Sequence, residues 1–114
     1  MNIRNKGRFL EIERAGQWTP LAVFDDDVIQ YEVLPDTTVI VATDITRDST
    51  NRNIFLIDTS GNVKWQIQEA QGRPNPYSGF EVKKGKVIAS SVQGAEYYVD
   101  PQTGKITLKD FNRF

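Results

Sequence analysis

The chain of 114 residues contains no cysteine and no histidine. Without cysteine it has no disulfides, no thiol nucleophile and no thiolate ligand for zinc. Without histidine it also lacks the usual imidazole acid or base and the commonest nitrogen ligand for metals. Catalysis would have to use carboxylates or a serine–lysine pair, and no spacing in the sequence brings such groups together. We therefore expect no metal, no cofactor and no catalytic residue, and the sequence favours a function other than catalysis.

The sequence also has no large excess of positive or negative charge and no long apolar run. Fourteen basic and fifteen acidic residues give a net charge of −1, so no general field attracts nucleic acid or anionic lipid, and neither is an expected partner. No apolar run is long enough for a signal peptide or a membrane span, which together with the lack of cysteine predicts a cytoplasmic protein. The length predicts one domain over residues 1–114.

One pattern occurs three times: an alternating apolar run, a turn that ends in glycine, and a second alternating run. The copies span residues 9–21, 54–67 and 97–108. Their glycines, Gly16, Gly61 and Gly104, recur at intervals of about 45 residues, the period of four-stranded propeller blades. Alternation with period two on both sides of a glycine turn is typical of a β-hairpin.

A further hairpin pattern lies between successive copies, so the chain divides into a half unit, 8–23, and two full units, 28–68 and 79–109. This division predicts an all-β protein, an antiparallel meander of about ten short strands with no significant helix. The continuous apolar run from Thr38 to Thr43 predicts a strand that is buried on both faces.

The segment from Asp58 to Trp65 resembles the blade motif of quinoprotein-type β-propellers, in which an Asp…Thr-Gly turn is followed four residues later by tryptophan. The third copy keeps Thr103-Gly104 and has Leu108 in place of the tryptophan. The resemblance implies blade-like hairpins that pack on their neighbours, and it implies no cofactor. In length and in the segment 100–106 the chain is also similar to small bacterial proteins of no assigned function.

Two and a half units are too few to close a propeller, which needs about four blades. Open sheet edges invite pairing with other chains. We therefore expect the strands to form a barrel-like or strongly twisted meander, with a propeller-like homodimer as the alternative.

Two polar segments, 44–53 and 68–78, are longer than hairpin links require, and such loops on a rigid β scaffold often carry binding residues. We expect this domain to bind another protein through them, as an interaction, inhibitor or immunity-type module. Tyr77 lies beside Arg73 in the second segment and is the aromatic residue most expected to meet a partner. The expected contact residues are Asp44, Arg47, Asp48, Arg52, Arg73 and Tyr77.

The alternative function is a carbohydrate-binding module or a carboxylate-based glycoside-processing enzyme. Glu32 and Glu81 occupy matching places in the two full units, and aromatic side chains could stack on sugar rings. This hypothesis requires Trp18, Trp65 and Tyr97 to line an open cleft with one of the glutamates. Packing in the core is the ordinary role of aromatic residues at alternating strand positions.

Overall fold

The computed structural model describes residues 1–45, 51–70 and 75–111. These residues form eleven strands in three antiparallel sheets, and within each sheet the strands are neighbours in chain order. The first sheet contains β1 (Ile3–Lys6), β2 (Phe9–Arg14) and β3 (Gln17–Val23). The second contains β4 (Val28–Val33), β5 (Val39–Thr43), β6 (Ile54–Ile57) and β7 (Val63–Gln66). The third contains β8 (Tyr77–Lys83), β9 (Lys86–Ser91), β10 (Ala95–Val99) and β11 (Ile106–Phe111).

The predicted all-β, helix-free class is confirmed for the described part of the chain, which also contains no helix able to cross a membrane. The expectation of a barrel is wrong, because the three sheets stay separate and do not close. The physical reason is the burial of β5, whose residues Val39–Thr43 are buried on both faces as the sequence predicted. A strand of this kind needs a layer on each side, which the wall of a single small barrel does not provide.

The first sheet has three strands where the sequence suggested two. β1 was missed because Arg4, Asn5 and Lys6 carry no apolar alternation. Its register with β2 pairs Ile3 with Ile12, so one apolar residue on each strand faces the second sheet.

Apolar side chains of the second sheet point alternately to its two neighbours. Val39, Val41 and Ile57 belong to a cluster with Leu10 of β2, which lies between the first and second sheets. The larger cluster fills the space between the second and third sheets; its buried members are Ile40, Ala42, Ile54, Leu56, Trp65, Ile67, Ala70, Tyr77, Phe80, Val87, Ala89, Ala95, Tyr97 and Val99. The first and third sheets therefore pack on opposite faces of the second sheet, with one apolar core at each contact.

Two side-chain amides fix the third sheet against the second. Asn53 donates to the carbonyls of Thr43 and Tyr77, both at 2.8 Å, and accepts the Tyr77 N–H at 2.9 Å. Gln30 donates to the Phe80 carbonyl at 2.6 Å and accepts the Phe80 N–H at 3.0 Å. Each amide satisfies both a backbone donor and a backbone acceptor at the start of the third sheet, so the relative position of the two sheets is tightly specified.

The glycine turns of the second and third sheets each pack on the preceding sheet. Gly104, with φ +77°, lies so close to Trp65 that a Cβ atom would meet the indole at 2.8 Å. The indole Nε1 donates to the Pro101 carbonyl at 2.8 Å. Gly61, with φ +85°, lies against the Leu21 carbonyl in the same way. Glycine is required at both positions by conformation and by space.

Leu108 does not take the place of the tryptophan. Trp65 lies opposite Leu56 and points toward the third sheet. Leu108 lies opposite Tyr97, whose side chain is in the same cluster and therefore points back toward the second sheet. Directly opposite residues share a face, so Trp65 and Leu108 point in opposite directions along the stack. The cause is a register shift between Leu56 and Ile57, which offsets the spacing in β7.

Candidate functional site

The two polar segments meet at one end of the second sheet. β5 ends there, β6 begins there, and β7 ends there, so the first segment begins and ends at this place and the second segment begins at it. The Asn51 amide donates to the Glu69 carboxylate at 2.7 Å and joins one segment to the other. The described parts of both segments therefore contribute to one surface.

Gln68 connects this surface to the third sheet. Its N–H donates to the Gly104 carbonyl at 2.9 Å, and its side-chain oxygen accepts the Ile106 N–H at 3.0 Å. Its carbonyl accepts the Tyr77 hydroxyl at 2.7 Å. Two of these hydrogen bonds hold the β10–β11 turn beside the end of β7, and the third joins the same residue to β8.

A groove of about 420 Å³ lies between these elements. Its lining residues are Arg52, Gln66, Gln68, Glu69, Thr103, Gly104 and Lys105. Arg52 and Lys105 are cationic and Glu69 is anionic, so the groove carries charges of both signs with a small positive excess.

A smaller notch of about 110 Å³, with both polar and aliphatic groups in its lining, adjoins the groove and shares Gln68 with it. Its other lining residues are Tyr97, Ile106 and Leu108. The notch lies against β11, where Leu108 is 60% exposed. We call the groove and the notch together the loop end.

Arg52, an expected partner contact, lines the groove but also supports it. Its guanidinium donates to the carbonyls of Ile67 at 2.9 Å and Gln66 at 3.1 Å. The Gln66 amide returns a hydrogen bond to the Arg52 carbonyl at 2.7 Å. Arg52 therefore holds the end of β7 in place, and part of its contribution is to stability.

Asp44 is exposed but lies away from the groove. Its N–H donates to the Asp27 carbonyl at 2.7 Å, and its carboxylate accepts the Ile45 N–H at 2.8 Å. The other expected contacts Arg47, Asp48 and Arg73 lie outside the described residues. The structure thus places Arg52 in the groove and separates Asp44 from it.

Tyr77, the aromatic residue most expected to contact a partner, does not lie on the surface. It is the first residue of β8, and its side chain is fully buried and packs edge-on against Tyr97 with ring centroids 6.2 Å apart. Burial raises the pKa of its hydroxyl, the first cause of the shift. The reason for the burial is the Asn53 amide, which binds the Tyr77 backbone and draws the residue into the sheet.

The aromatic residues of the carbohydrate hypothesis are used in packing. Trp65 and Tyr97 are buried, and Trp18 is half-buried beneath the Arg4 guanidinium, which lies 4.2 Å from the ring centroid. Neither Glu32 nor Glu81 lines the groove or the notch. The described ranges also contain no group of three or more Asp and Glu side chains placed to hold a metal ion.

The sequence did not single out Lys105, Glu69 or Gln68. Lys105 belongs to the third repeat turn, which the repeat pattern presented as scaffold. The repeat pattern could have indicated that residues of the third turn lie near this surface. If the tryptophan of one unit docks on the turn of the next, residues beside Gly104 must lie next to the end of β7.

The family model described as "Domain of unknown function (DUF7957)" matches residues 5–111. The chain belongs to the DUF7957 family. No curated protein matches this DUF7957 domain.

Among solved structures, the domain is similar to the computationally designed Ika8 protein, with a TM-score of 0.68 and 16% sequence identity. The alignment covers 98% of this chain and 35% of the Ika8 chain, so the domain spans about a third of that protein. At this identity the likeness shows a shared fold and nothing about function.

Proposed function

We propose that this DUF7957 domain is a non-catalytic module that binds another protein through the loop end. The observation that carries the proposal is the convergence of the two polar segments and the β10–β11 turn around one groove. The Asn51–Glu69 and Gln68–Gly104 hydrogen bonds join these three parts of the chain.

The composition of the loop end supports this function. Stable protein interfaces combine a small apolar centre with a polar rim and several hydrogen-bonding groups. Here the notch supplies Ile106 and Leu108, and the groove supplies Lys105, Glu69 and amide side chains.

The arrangement of the groove also favours binding. Gln66 and Gln68 are held by hydrogen bonds to Arg52 and to the β10–β11 turn. A preformed surface loses little conformational entropy when it meets a partner, and this raises affinity for a given contact area.

We further propose that the three sheets are successive blade-like units, as the sequence motif suggests. In support, the Trp65 indole contacts Gly104 and donates to the Pro101 carbonyl of the next sheet. An apolar cluster lies between each pair of successive sheets, as expected for blades packed face to face.

The test is affinity capture with the full chain from a lysate of the cells that express it. The variants Lys105→Glu and Glu69→Lys reverse charges in the groove, and Lys84→Glu reverses a charge in the β8–β9 turn, which lies at the same end of the third sheet but does not line the groove. We expect the wild type and Lys84→Glu to capture the same proteins and the two groove variants to lose them. Equal capture by all four proteins would contradict the proposal.

A further inference from the structure

β11 is the outer edge strand of the third sheet, in the strand order β11-β10-β9-β8. The Lys105 carbonyl points inward, toward β10, and accepts the Asp100 N–H at 2.8 Å. Groups that point away from β10 are called outward. The next N–H, that of Ile106, points outward and donates to Gln68. Because backbone direction alternates along an antiparallel strand, the N–H and carbonyl of Leu108 also point outward. Among the described residues no strand pairs with this side of β11.

Side chains cover part of two other edge strands, β1 and β8. The Tyr31 hydroxyl donates to the Ile3 carbonyl on the free side of β1 at 2.9 Å. The Gln30 amide binds both backbone groups of Phe80 on the free side of β8. Proteins cover sheet edges because open ones pair with other chains. The edge of β11 beyond Ile106 has no such side-chain cover among the described residues, so it is an accessible pairing site.

The notch, which Ile106 and Leu108 line together with Gln68 and Tyr97, lies on the face next to this edge. A strand added beside β11 would continue the pleat, so a residue opposite Leu108 would place its side chain on the face shared by Leu108 and Tyr97. The notch is small and open at the edge, which suits one aliphatic side chain. Pairing would thus supply backbone hydrogen bonds, and the notch would supply selectivity.

The charges in the groove and along β11 favour an acidic segment over a second copy of the chain as the added strand. The groove begins at Lys105, three residues before Leu108, and it also contains Arg52 and Glu69, so two cations face one anion there. Two β11 strands paired with each other would bring the exposed Lys105 and Lys109 residues of both copies together, and like charges across a strand pair are destabilising.

We propose that β11 accepts an extended, acidic segment of another protein as an additional strand. One aliphatic side chain of the segment occupies the notch, and a nearby carboxylate lies in the groove close to Lys105. This inference rests on the proposed function, since it assigns the chemistry of the partner at the same surface.

The experiment uses the full chain and an array of synthetic eight-residue peptides in which aliphatic residues alternate with Glu, Asp or Thr. Matched peptides carry Lys in place of the acids. Dissociation constants of the best binders are measured by fluorescence anisotropy. We expect the acidic peptides to bind and the lysine peptides to fail.

Two changes test the backbone pairing. Single N-methylation along the peptide is expected to weaken binding about tenfold at alternate positions, those that pair with β11, and little between them. In the protein, Leu108→Pro removes an outward N–H without removing a bond to β10, whereas Leu108→Ala keeps the N–H and shortens the side chain. We expect the proline variant to bind at least about tenfold more weakly than the alanine variant.

The outcomes separate the two proposals. If N-methylation has no effect while Lys105→Glu abolishes binding, strand addition is overturned and the proposed function stands. If neither Leu108→Pro nor Lys105→Glu weakens the peptides, both fail. Absence of any binding peptide overturns strand addition, as does a wild-type dimer by light scattering that Leu108→Pro converts to monomer, since a second copy would then occupy the edge.

Discussion

Replacing Asn53 tests how the second and third sheets are joined. Its side chain is 1% exposed and makes three hydrogen bonds to backbone groups, at 2.8, 2.8 and 2.9 Å. Asn53→Ala leaves the N–H and carbonyl of Tyr77 and the carbonyl of Thr43 without these partners in a buried place. Each buried group left unsatisfied costs about 1–3 kcal/mol. Allowing for partial relaxation, we expect a loss of about 4 kcal/mol from a total stability of about 5–15 kcal/mol.

The assay is urea unfolding followed by tryptophan fluorescence, because Trp65 lies buried between the same two sheets. Asn51→Ala is the matched control: the same change two residues away removes one exposed hydrogen bond to Glu69 and should cost less than about 1 kcal/mol. A loss below about 1 kcal/mol for Asn53→Ala, or one equal to the control, would refute the role of the Asn53 side chain in joining the two sheets.

Three further predictions concern the sheet contacts, the groove and a turn. Gly104→Ala should destabilise the fold by about 1–3 kcal/mol more than Gly85→Ala in urea unfolding. Both glycines have φ +77°, but only Gly104 lies against another side chain, that of Trp65. Equal losses would show that the contact with Trp65 does not contribute to stability. Arg52→Ala should cost about 1–2 kcal/mol because two backbone carbonyls lose their donor, and an unchanged urea midpoint would assign the side chain to recognition alone. The Asn62 N–H, followed by the Ser60 N–H, lowers the pKa of Asp58 below its ordinary 3.8, so this carboxylate stabilises the fold above pH 3.8 and the gain is lost as the pH falls through the lowered pKa. The acid limb of stability against pH should therefore be steeper in the wild type than in Asp58→Asn, and parallel limbs would contradict the assignment.

The class of fold was predictable because alternation and glycine turns are local signals. The buried strand Val39–Thr43 could be identified from its continuous apolar run, and its burial on both faces already implied stacked sheets. The number of strands alone is also compatible with a barrel, so strand count does not distinguish a barrel from stacked sheets. Which sheets pack together depends on non-local amide contacts such as those of Gln30 and Asn53. A single polar residue in a strand pattern does not indicate which distant backbone groups it will bind.

The candidate site was predictable in part. The two polar segments do meet, and Arg52 lines the groove between them. Tyr77 was misplaced because two prolines nearby suggested a connection, whereas a buried amide two dozen residues earlier draws it into β8. Lys105 reaches the groove through packing of one repeat on the next, which spacing indicates only once the docking of Trp65 is known.

The most direct test of the account is hydrogen–deuterium exchange of the full chain, alone and with the captured partner or best acidic peptide. The account predicts slower exchange in segments 66–69 and 103–108, with the amide of Leu108 among the most protected and little change in the first sheet. Protection confined to β1–β3 or to the β8–β9 turn, with no change at the loop end, would contradict it.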